Sequence, residues 1–308
     1  MNSTILIGDA RKRLAELPAG SARTCVTSPP YFGLRDYGEA DQIGLEETPD
    51  AYVAEMVGLF REVWRVLADD GTLWLNLGDS YSGSGKGPAG NLGAKHDERN
   101  MEHTKASGNV PIGLKPKDLI GIPWRVAFAL QADGWYLRSD IIWAKPNPMP
   151  ESVTDRPTKS HEYVFLLSKS PKYYYNHQAI KEESTGKSGT WSEKTHNARI
   201  GRGTFNREYV PSEDGLRNKR DVWTINTKPF KGAHFAVMPE ALVEPCVLAG
   251  SQEGDTVLDP FTGSGTVAVV ANRLGRNFVG TELNPEYGKI AKKRIKDSSP
   301  MFNEVEIV

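Results

Sequence analysis

The chain has 308 residues, of which 38% are hydrophobic and 25% are charged, a composition typical of a globular protein with a large core. Lys and Arg number 38 against 39 Asp and Glu, so a globally basic chain is excluded and any nucleic-acid surface must be a local patch. Two distant cysteines without a C-x-x-C spacing predict neither a disulfide framework nor a metal site, and no apolar run approaches the roughly 20 residues of a membrane span.

The first eighty residues alternate between predicted strands and helices. An apolar run at residues 4–7 is followed by a short helical pattern and by a second strand at RTCVTS. Apolar residues at helical spacing then predict a helix from about Asp50 to Leu67, and an Asp-Asp-Gly turn at residues 69–71 leads into the strand TLWLNL. Strands and helices that alternate over short links predict a parallel sheet covered by helices.

The middle of the chain contains two long polar stretches. Residues 82–118 are rich in Gly, Ser, Asn and Lys and are predicted to form a mobile loop. A helix from Pro123 to about Ala132 and the strands YLRSDIIWAKP and EYVFLLSKS follow. The second polar stretch, residues 181–220, carries nine Lys or Arg against six Asp or Glu and is a candidate insertion.

The C-terminal part contains a glycine-rich turn between a strand and a helix, in LDPFTGSGT at residues 258–266. Backbone N–H groups at a helix start can face a ligand, and Gly263 and Gly265 would let the backbone approach it closely. Glu282 ends the next strand 19 residues after Gly263, near the spacing at which a carboxylate meets ribose hydroxyls. The pattern therefore favours an adenosine-containing cofactor over a plain tight turn with an exposed glutamate.

The position of this turn in the chain predicts an unusual order of the two halves. Only 26 residues follow Glu282, and a final helix at PEYGKIAKKRI occupies part of them. Two strands cannot form a sheet of this kind alone, so the remaining strands must come from the N-terminal segment. The third glycine of the dehydrogenase fingerprint is also absent.

The segment VTSPPYFGLRDYG at residues 26–38 is the second unusual feature. Two adjacent prolines remove two backbone donors and fix φ at both positions, so this segment can join neither a sheet ladder nor a helix interior. It is predicted to be a rigid bracket at the end of a strand.

TSPPY at residues 27–31, DPFTGSGT at 259–266 and GTELNPEY at 280–287, in this order, resemble the β-class amino-methyltransferases of DNA, which use S-adenosylmethionine. The resemblance implies an α/β, Rossmann-like methyltransferase fold that is circularly permuted, with a mostly parallel sheet, helices on both faces and an inserted target-recognition region. It implies a catalytic half at residues 1–180, a candidate target-recognition insert at 181–220 and a cofactor-binding half at 221–308.

The resemblance assigns the catalytic role to the bracket, residues Ser28, Pro29, Pro30 and Tyr31. An exocyclic amino group is a poor nucleophile because its lone pair is delocalised into the ring. The Ser28 hydroxyl oxygen and the Pro29 carbonyl would hold its N–H bonds and aim the lone pair at the sulfonium methyl, and Tyr31 would stack on the base. The target base would have to flip out of the duplex to reach this site.

The resemblance places the cofactor on the glycine turn and on neighbouring segments, namely Asp9, Asp259, Pro260, Phe261, Gly263, Ser264, Gly265, Thr266, Glu282, Leu283, Asn284, His234 and Phe235. Three of these have an ordinary alternative. Asp9 could simply cap the first helix, Phe261 could pack in the core, and His234 could be a surface histidine.

Sequence recognition is assigned to the 181–220 insert, where basic groups alternate with aromatic residues. Its predicted DNA-binding residues are Arg199, Arg202, Arg207, Arg217, Lys219 and Arg220. A charge-balanced, solvated loop is the alternative. The expected partner is double-stranded DNA with no membrane, and a homodimer and a cognate restriction endonuclease are further partners that this class suggests. Because the N-terminus is too briefly apolar for a signal peptide, we expect a cytoplasmic enzyme that is bacterial or phage-encoded.

Serine at the first bracket position favours N4 of cytosine as the target, since Asp or Asn accompanies N6-adenine methylation in this family. N6-adenine methylation stays open as the main alternative. A nicotinamide-dependent oxidoreductase and a non-catalytic DNA-binding module are alternatives from other classes. Cys25 is better explained as a buried structural thiol than as a C5-cytosine nucleophile.

Overall fold

The computed structural model describes residues 1–34, 37–39, 41–83, 113–184, 215–228, 237–298 and 304–308. The chain divides into two compact units. The larger unit comprises Met1–Asn176 and Asp221–Val308, and the smaller unit comprises His177–Arg220. Among the helices that the structure describes, none combines the length and the apolar character that a membrane crossing requires.

The larger unit contains six described helices: α1 (Ala10–Ala15), α2 (Pro49–Val66), α3 (Ile122–Ala132), α4 (Glu240–Gly250), α5 (Thr266–Arg273) and α6 (Pro285–Ser298). Its described strands are β1 (Asn2–Ile7), β2 (Ala22–Thr27), β3 (Leu67–Leu77), β4 (Tyr136–Ala144), β5 (His161–Ser168), β8 (Val222–Thr224), β9 (Thr256–Asp259), β10 (Asn277–Glu282) and β11 (Glu304–Ile307). In the smaller unit, β6 (Glu182–Glu183) pairs antiparallel with β7 (Leu216–Arg217).

The sheet of the larger unit interleaves strands from the two ends of the chain, in the order β11-β1-β10-β9-β2-β3-β5-β4-β8. β1 lies beside β10, and β2 lies beside β9. The described pairings are parallel except for the two that β5 makes with β3 and β4. The predicted permuted α/β fold with a mostly parallel sheet is therefore confirmed, and the N-terminal strands complete the C-terminal half as expected.

Helices cover both faces of this sheet. Leu73, Leu75 and Leu77 of β3 belong to one apolar cluster with residues of α1, α2 and α3. Trp74 lies one residue out of phase and faces the other side, where its ring centroid is 6.4 Å from that of Trp223. On this second face α4 packs so closely that a Cβ on Gly250 would lie 3.0 Å from the Thr72 hydroxyl oxygen, and α5 packs between α4 and α6.

The predicted turn at residues 69–71 is wrong, because β3 runs unbroken through these residues. Ala22 is opposite Leu67 and Thr24 is opposite Thr72, so two steps along β2 correspond to five along β3. The three extra residues form a bulge in the strand. Within this segment Asp70 pairs with Arg23, and Asp69 pairs with Lys169 at 3.4 Å. The terminal strand β11, parallel to β1, was also not predicted.

Gly280 shows how tightly β10 approaches the glycine turn. A Cβ at this position would lie 2.8 Å from the Asp259 carbonyl oxygen and 2.6 Å from Phe278 Cζ. We expect Gly280→Ala to lower the free energy of unfolding by about 1–3 kcal/mol through overpacking. Gly58 is the matched control, because it lies exposed inside α2 with open space around it.

Gly58→Ala should instead raise the free energy of unfolding by about 0.5–1 kcal/mol, the ordinary gain from replacing glycine in a helix interior. Urea unfolding of both variants followed by circular dichroism measures the difference. Equal stability changes of the two variants would contradict the close approach at Gly280.

Candidate active site

A cavity of about 950 Å³ opens at the edge where the parallel strands of the larger unit end. In open α/β sheets ligands bind outside the carboxyl ends of the strands. The first residues of the antiparallel strand β5 reach the same edge. The predicted site residues that line this cavity are Asp9, Ser28, Pro29, Pro30, Tyr31, Asp259, Pro260, Phe261, Gly263, Ser264, Thr266, Glu282, Leu283 and Asn284.

The glycine turn is held by the carboxylate of Glu282. The Gly263 amide donates to one carboxylate oxygen at 2.8 Å, and the Asn284 amide donates to the other at 2.9 Å. Burial raises the pKa of Glu282 above its usual 4.5, although these backbone hydrogen bonds oppose the change. Glu282 is thus buried in the cavity wall rather than exposed as in the plain-turn alternative.

Gly265 precedes α5 and does not itself line the cavity. Its φ is 78°, a left-handed conformation that favours glycine. A Cβ there would lie 3.0 Å from Ala291 Cβ of α6. Gly265 therefore provides close helix packing without the third glycine of the dehydrogenase fingerprint.

Asp259 joins the glycine turn to the strand that carries the bracket. Its carboxylate oxygen accepts the Thr27 hydroxyl at 2.7 Å and the Phe261 amide at 3.0 Å. Burial raises the pKa of Asp259 from 3.8 to about 7, against the opposing effect of these hydrogen bonds. The residue that begins the turn is thus bonded to the residue that precedes Ser28.

Asp9 is placed where either of the roles considered from the sequence is possible. It is the N-cap of α1, where its carboxylate accepts the Arg11 amide at 2.9 Å, and it also lines the cavity. Burial favours a higher pKa, but the hydrogen bonds and charge of Arg11 outweigh it and hold the pKa of Asp9 below 3.8. Phe261 likewise lines the cavity while packing against the main apolar cluster.

The bracket is fixed by contacts from two sides. The Tyr52 hydroxyl of α2 donates to the Pro30 carbonyl at 2.9 Å. Gly78 lies against the ring of Tyr31, since a Cβ there would be 2.5 Å from Tyr31 Cε2. Cys25 is fully buried in β2, and burial and the nearby Asp259 raise the pKa of its thiol well above the usual value, as expected of a structural cysteine.

Three polar residues that the sequence interpretation did not single out meet the bracket. Glu162 accepts the Tyr31 hydroxyl at 2.8 Å, Asn76 donates to the same carboxylate oxygen at 3.2 Å, and Lys145 pairs with the other oxygen. Glu162 and Lys145 lie in HEYVFLLSK and WAKPNPMPES. The only sequence signal for Glu162 was a charged residue at the start of a predicted apolar strand, and this signal does not indicate a particular role.

Several predicted residues lie outside the described part of the chain, namely His234, Phe235, Arg199, Arg202, Arg207 and most of the 82–118 loop. In the smaller unit, Arg217 and Arg220 both donate to one Glu182 oxygen, at 3.0 and 2.8 Å. These hydrogen bonds and charges outweigh burial and lower the pKa of Glu182. Lys219 is half-buried beside them.

Comparison with known proteins gives a consistent result. A family model described as DNA methylase matches residues 22–293. The chain is 51% identical over 296 residues to the type II methyltransferase M.Cfr9I of Citrobacter freundii, covering 96% of this chain and 88% of the relative. It is 51% identical over 291 residues to M.SmaI of Serratia marcescens, covering 94% and 90%.

Solved structures give the same fold. TTHA0409 of Thermus thermophilus, solved in complex with S-adenosyl-L-methionine, is 25% identical with a TM-score of 0.63, and the match covers 100% of this chain and 98% of that one. The PvuII DNA methyltransferase, named as cytosine-N4-specific, has a TM-score of 0.64 with 100% and 95% coverage. At 18% identity the second likeness concerns the fold alone.

Proposed function

The chain belongs to the family of DNA methylases that modify exocyclic N6 and N4 amino groups, and we propose from this premise that its target is N4 of cytosine. It is a site-specific DNA methyltransferase that uses S-adenosylmethionine. The predicted enzyme class and cofactor are confirmed. The alternatives from other classes, an oxidoreductase and a non-catalytic binding module, lose their support.

The residues around the cavity fit this cofactor. A volume of about 950 Å³ lies in the upper part of the range for small-molecule sites. The Glu282 carboxylate accepts the Gly263 and Asn284 amides, one on each oxygen, and the Leu283 amide also contributes a backbone hydrogen bond. A carboxylate offers about four acceptor positions, so acceptor capacity remains for a ribose hydroxyl. When bound, the cofactor supplies an electrophilic methyl group on a sulfonium.

The bracket supplies the acceptors for the target amino group. The Ser28 hydroxyl oxygen and the Pro29 carbonyl accept its two N–H bonds, and their fixed positions direct the lone pair toward the methyl group. Tyr52 restrains the neighbouring Pro30 carbonyl, so the second proline keeps its place. Stacking on Tyr31 is worth about 1–3 kcal/mol and offsets part of the cost of flipping the base.

Ser28 is the observation that carries the choice of cytosine. Within this family serine at the first bracket position accompanies N4-cytosine methylation, whereas a side-chain carboxylate or amide there accompanies N6-adenine methylation. Ser28 lies on the cavity wall beside the glycine turn, where its side chain can meet a flipped base. N6-adenine methylation is the second candidate, since the family includes both activities.

Product analysis tests this proposal. Purified protein, unmethylated duplex DNA and methyl-labelled S-adenosylmethionine are incubated, and the DNA is digested to nucleosides for mass spectrometry. We expect the label in N4-methylcytosine. Label in N6-methyladenine would overturn the choice of base while leaving the family assignment in place.

The smaller unit supports a proposal for sequence recognition. We assign target readout to residues 181–220, which in chain order follow the catalytic half at 1–180 and precede the cofactor half at 221–308. Arg217, Lys219 and Arg220 contribute positive charge there for phosphate and base-edge contacts. We also propose, from the family, that the enzyme is cytoplasmic, that it forms a homodimer and that it acts together with a cognate restriction endonuclease.

Arg220→Ala should weaken DNA binding and reduce its salt dependence. Loss of one phosphate contact lowers the slope of log K against log salt by about 0.9. Folding should be nearly unaffected, because the exposed ion pair with Glu182 is worth less than about 1 kcal/mol. Fluorescence anisotropy with a cognate duplex at several salt concentrations measures the slope. The control is the exposed Lys296→Ala on α6, and equal slopes for the two variants would count against this contact.

A further inference from the structure

A polar cluster in the cavity wall joins the bracket to residues of β3, β4 and β5 that have no assigned role. We call it the Glu162 cluster, and it consists of Ser28, Tyr31, Asn76, Lys145 and Glu162. Its members come from the ends of β2, β3 and β4 and from the start of β5. All five residues line the same cavity.

The hydroxyl hydrogen bonds of this cluster are donated in sequence from Ser28 to Tyr31 and from Tyr31 to Glu162. The Tyr31 hydroxyl lies 2.8 Å from Glu162 Oε2 and 3.2 Å from Asn76 Oδ1. It has one proton, which the closer and charged acceptor takes. The Ser28 hydroxyl donates in turn to the Tyr31 oxygen at 3.4 Å. Ser28 therefore keeps its lone pairs for the N–H bonds of a target amino group.

The remaining contacts hold Glu162 in place. Asn76 donates to Glu162 Oε2 at 3.2 Å and to the Tyr163 carbonyl at 3.0 Å, which orients the amide. Lys145 pairs with Glu162 Oε1, and its ammonium lies 4.2 Å from the centroid of the Trp143 ring. One carboxylate oxygen is thus occupied by Lys145, while the other faces Tyr31.

We propose that Glu162 receives, through Ser28 and Tyr31, the proton that the target amino group loses on methylation. As the new N–C bond replaces the S–C bond of the cofactor, the sulfonium becomes a neutral thioether and the nitrogen gains positive charge. The nitrogen releases a proton to Ser28 Oγ, Ser28 passes its own proton to Tyr31 Oη, and Tyr31 passes its own to Glu162. Glu162 ends as a neutral acid that returns its proton to water after product release.

The surroundings of Tyr31 explain why the proton ends on the Glu162 carboxylate. Removal of its hydroxyl from water and the nearby charge of Glu162 raise the pKa of Tyr31 well above the usual value of 10.0. Neither Tyr31 nor the serine hydroxyl holds a negative charge readily in this position, so both pass the proton onward. In this proposal Glu162 acts on the amino group through Tyr31 and Ser28, so it is a positioning residue that also accepts the proton.

Other titratable groups also face Glu162 within the described residues. These are Lys145, Tyr31, His161 and Lys159, whose ammonium donates to the Asp79 carbonyl at 2.6 Å. Burial lowers the pKa of both Lys159 and His161. The pH profile of the wild type therefore depends on several groups, so the profiles of the wild type and of the Glu162 variants are compared directly.

The test is a double-mutant cycle on single-turnover methyl transfer. Tyr31→Phe keeps the stacking ring and removes only the hydroxyl, and Glu162→Gln keeps the shape and removes the acid. We expect each variant to lower the rate between about tenfold and a thousandfold, with cofactor and DNA affinities changed by less than about twofold. The double variant should be no slower than the slower single variant, because each single substitution already interrupts the same path of proton transfer.

The pH profile supplies a readout that a purely structural role would not change. Glu162→Gln should change the shape of the pH profile, and Glu162→Asp should restore part of the rate. Tyr173→Phe and Glu244→Gln are the matched controls outside the cavity, and each should keep the wild-type rate. Thermal unfolding of every variant separates loss of folding from loss of rate.

Two results would overturn this proton transfer from Ser28 through Tyr31 to Glu162, which we call the relay. One is a Glu162→Gln enzyme with the wild-type rate and pH profile. The other is a double variant whose fold-reduction in rate equals the product of the two single fold-reductions. The relay rests on the proposed function but fails separately from it. If the wild type produces N6-methyladenine, the choice of cytosine is wrong, while the cycle still reports on proton removal from an amino group.

Discussion

Ser28→Ala should lower the single-turnover rate of methyl transfer by about a hundredfold to a thousandfold, the effect of removing one positioned group from a charge-stabilising site. In the proposed mechanism the hydroxyl oxygen accepts an N–H of the target amino group, and the hydroxyl donates to the Tyr31 oxygen at 3.4 Å. Alanine leaves the bracket prolines and the Tyr52 contact in place. Rapid-quench measurement with labelled cofactor and a cognate duplex gives the rate directly.

Cofactor affinity is the internal control for this variant, because Glu282 and the glycine turn, the proposed cofactor contacts, are untouched. Isothermal titration should give a dissociation constant within about twofold of the wild type. Ser21→Ala, which removes an exposed hydroxyl bonded to the Pro18 carbonyl, should leave both rate and affinity unchanged. Full activity of Ser28→Ala would remove the serine from the catalytic assignment.

Asp259→Asn should change how stability depends on pH. Asp259 has a folded-state pKa of about 7 and an unfolded value near 3.8, so between these values the folded protein holds a proton that the unfolded chain has lost. This contribution to stability is complete below about pH 4 and is lost as pH rises to about 7. Its slope approaches 1.4 kcal/mol per pH unit. Asparagine is neutral throughout and lacks this loss.

Urea unfolding between pH 5 and 8 measures the difference between wild type and Asp259→Asn. We expect the wild type to lose stability relative to the variant as pH rises toward 7 and then to level off. Thr27→Val removes a hydrogen bond that lowers this pKa, so the window should move to higher pH. A stability difference independent of pH would show that Asp259 is ionised in the folded protein across this range.

Local signals made much of the fold predictable. The strand, glycine turn, helix and Glu282 form one continuous segment, and each part restricts the next. Inversion of the halves followed from counting, since too little chain remains after Glu282 to complete a sheet. The observed pairings of β1 with β10 and of β2 with β9 confirm this inversion, because each joins an N-terminal strand to a C-terminal strand.

The misses have a common physical cause, because they depend on contacts distant in sequence. The local sequence around Asp70 predicts a turn, and its pairing with Arg23 on the neighbouring strand is visible only in the folded structure. Glu162 is the second residue of β5, and a parallel strand would begin at the edge away from the site. Since β5 is antiparallel to β3, its first residues instead meet Asn76 and Tyr31. No local pattern in HEYVFLLSK distinguishes these two directions.

Modification-resolved sequencing of DNA from cells that express this chain tests the central claim most directly, with cells expressing Ser28→Ala as the control. It identifies the modified base, the modified atom and the sequence context together. The account predicts N4-methylcytosine at one short recurring sequence, present with the wild type and strongly reduced with the variant. N6-methyladenine in its place, or wild-type DNA without any modified amino group, would contradict it.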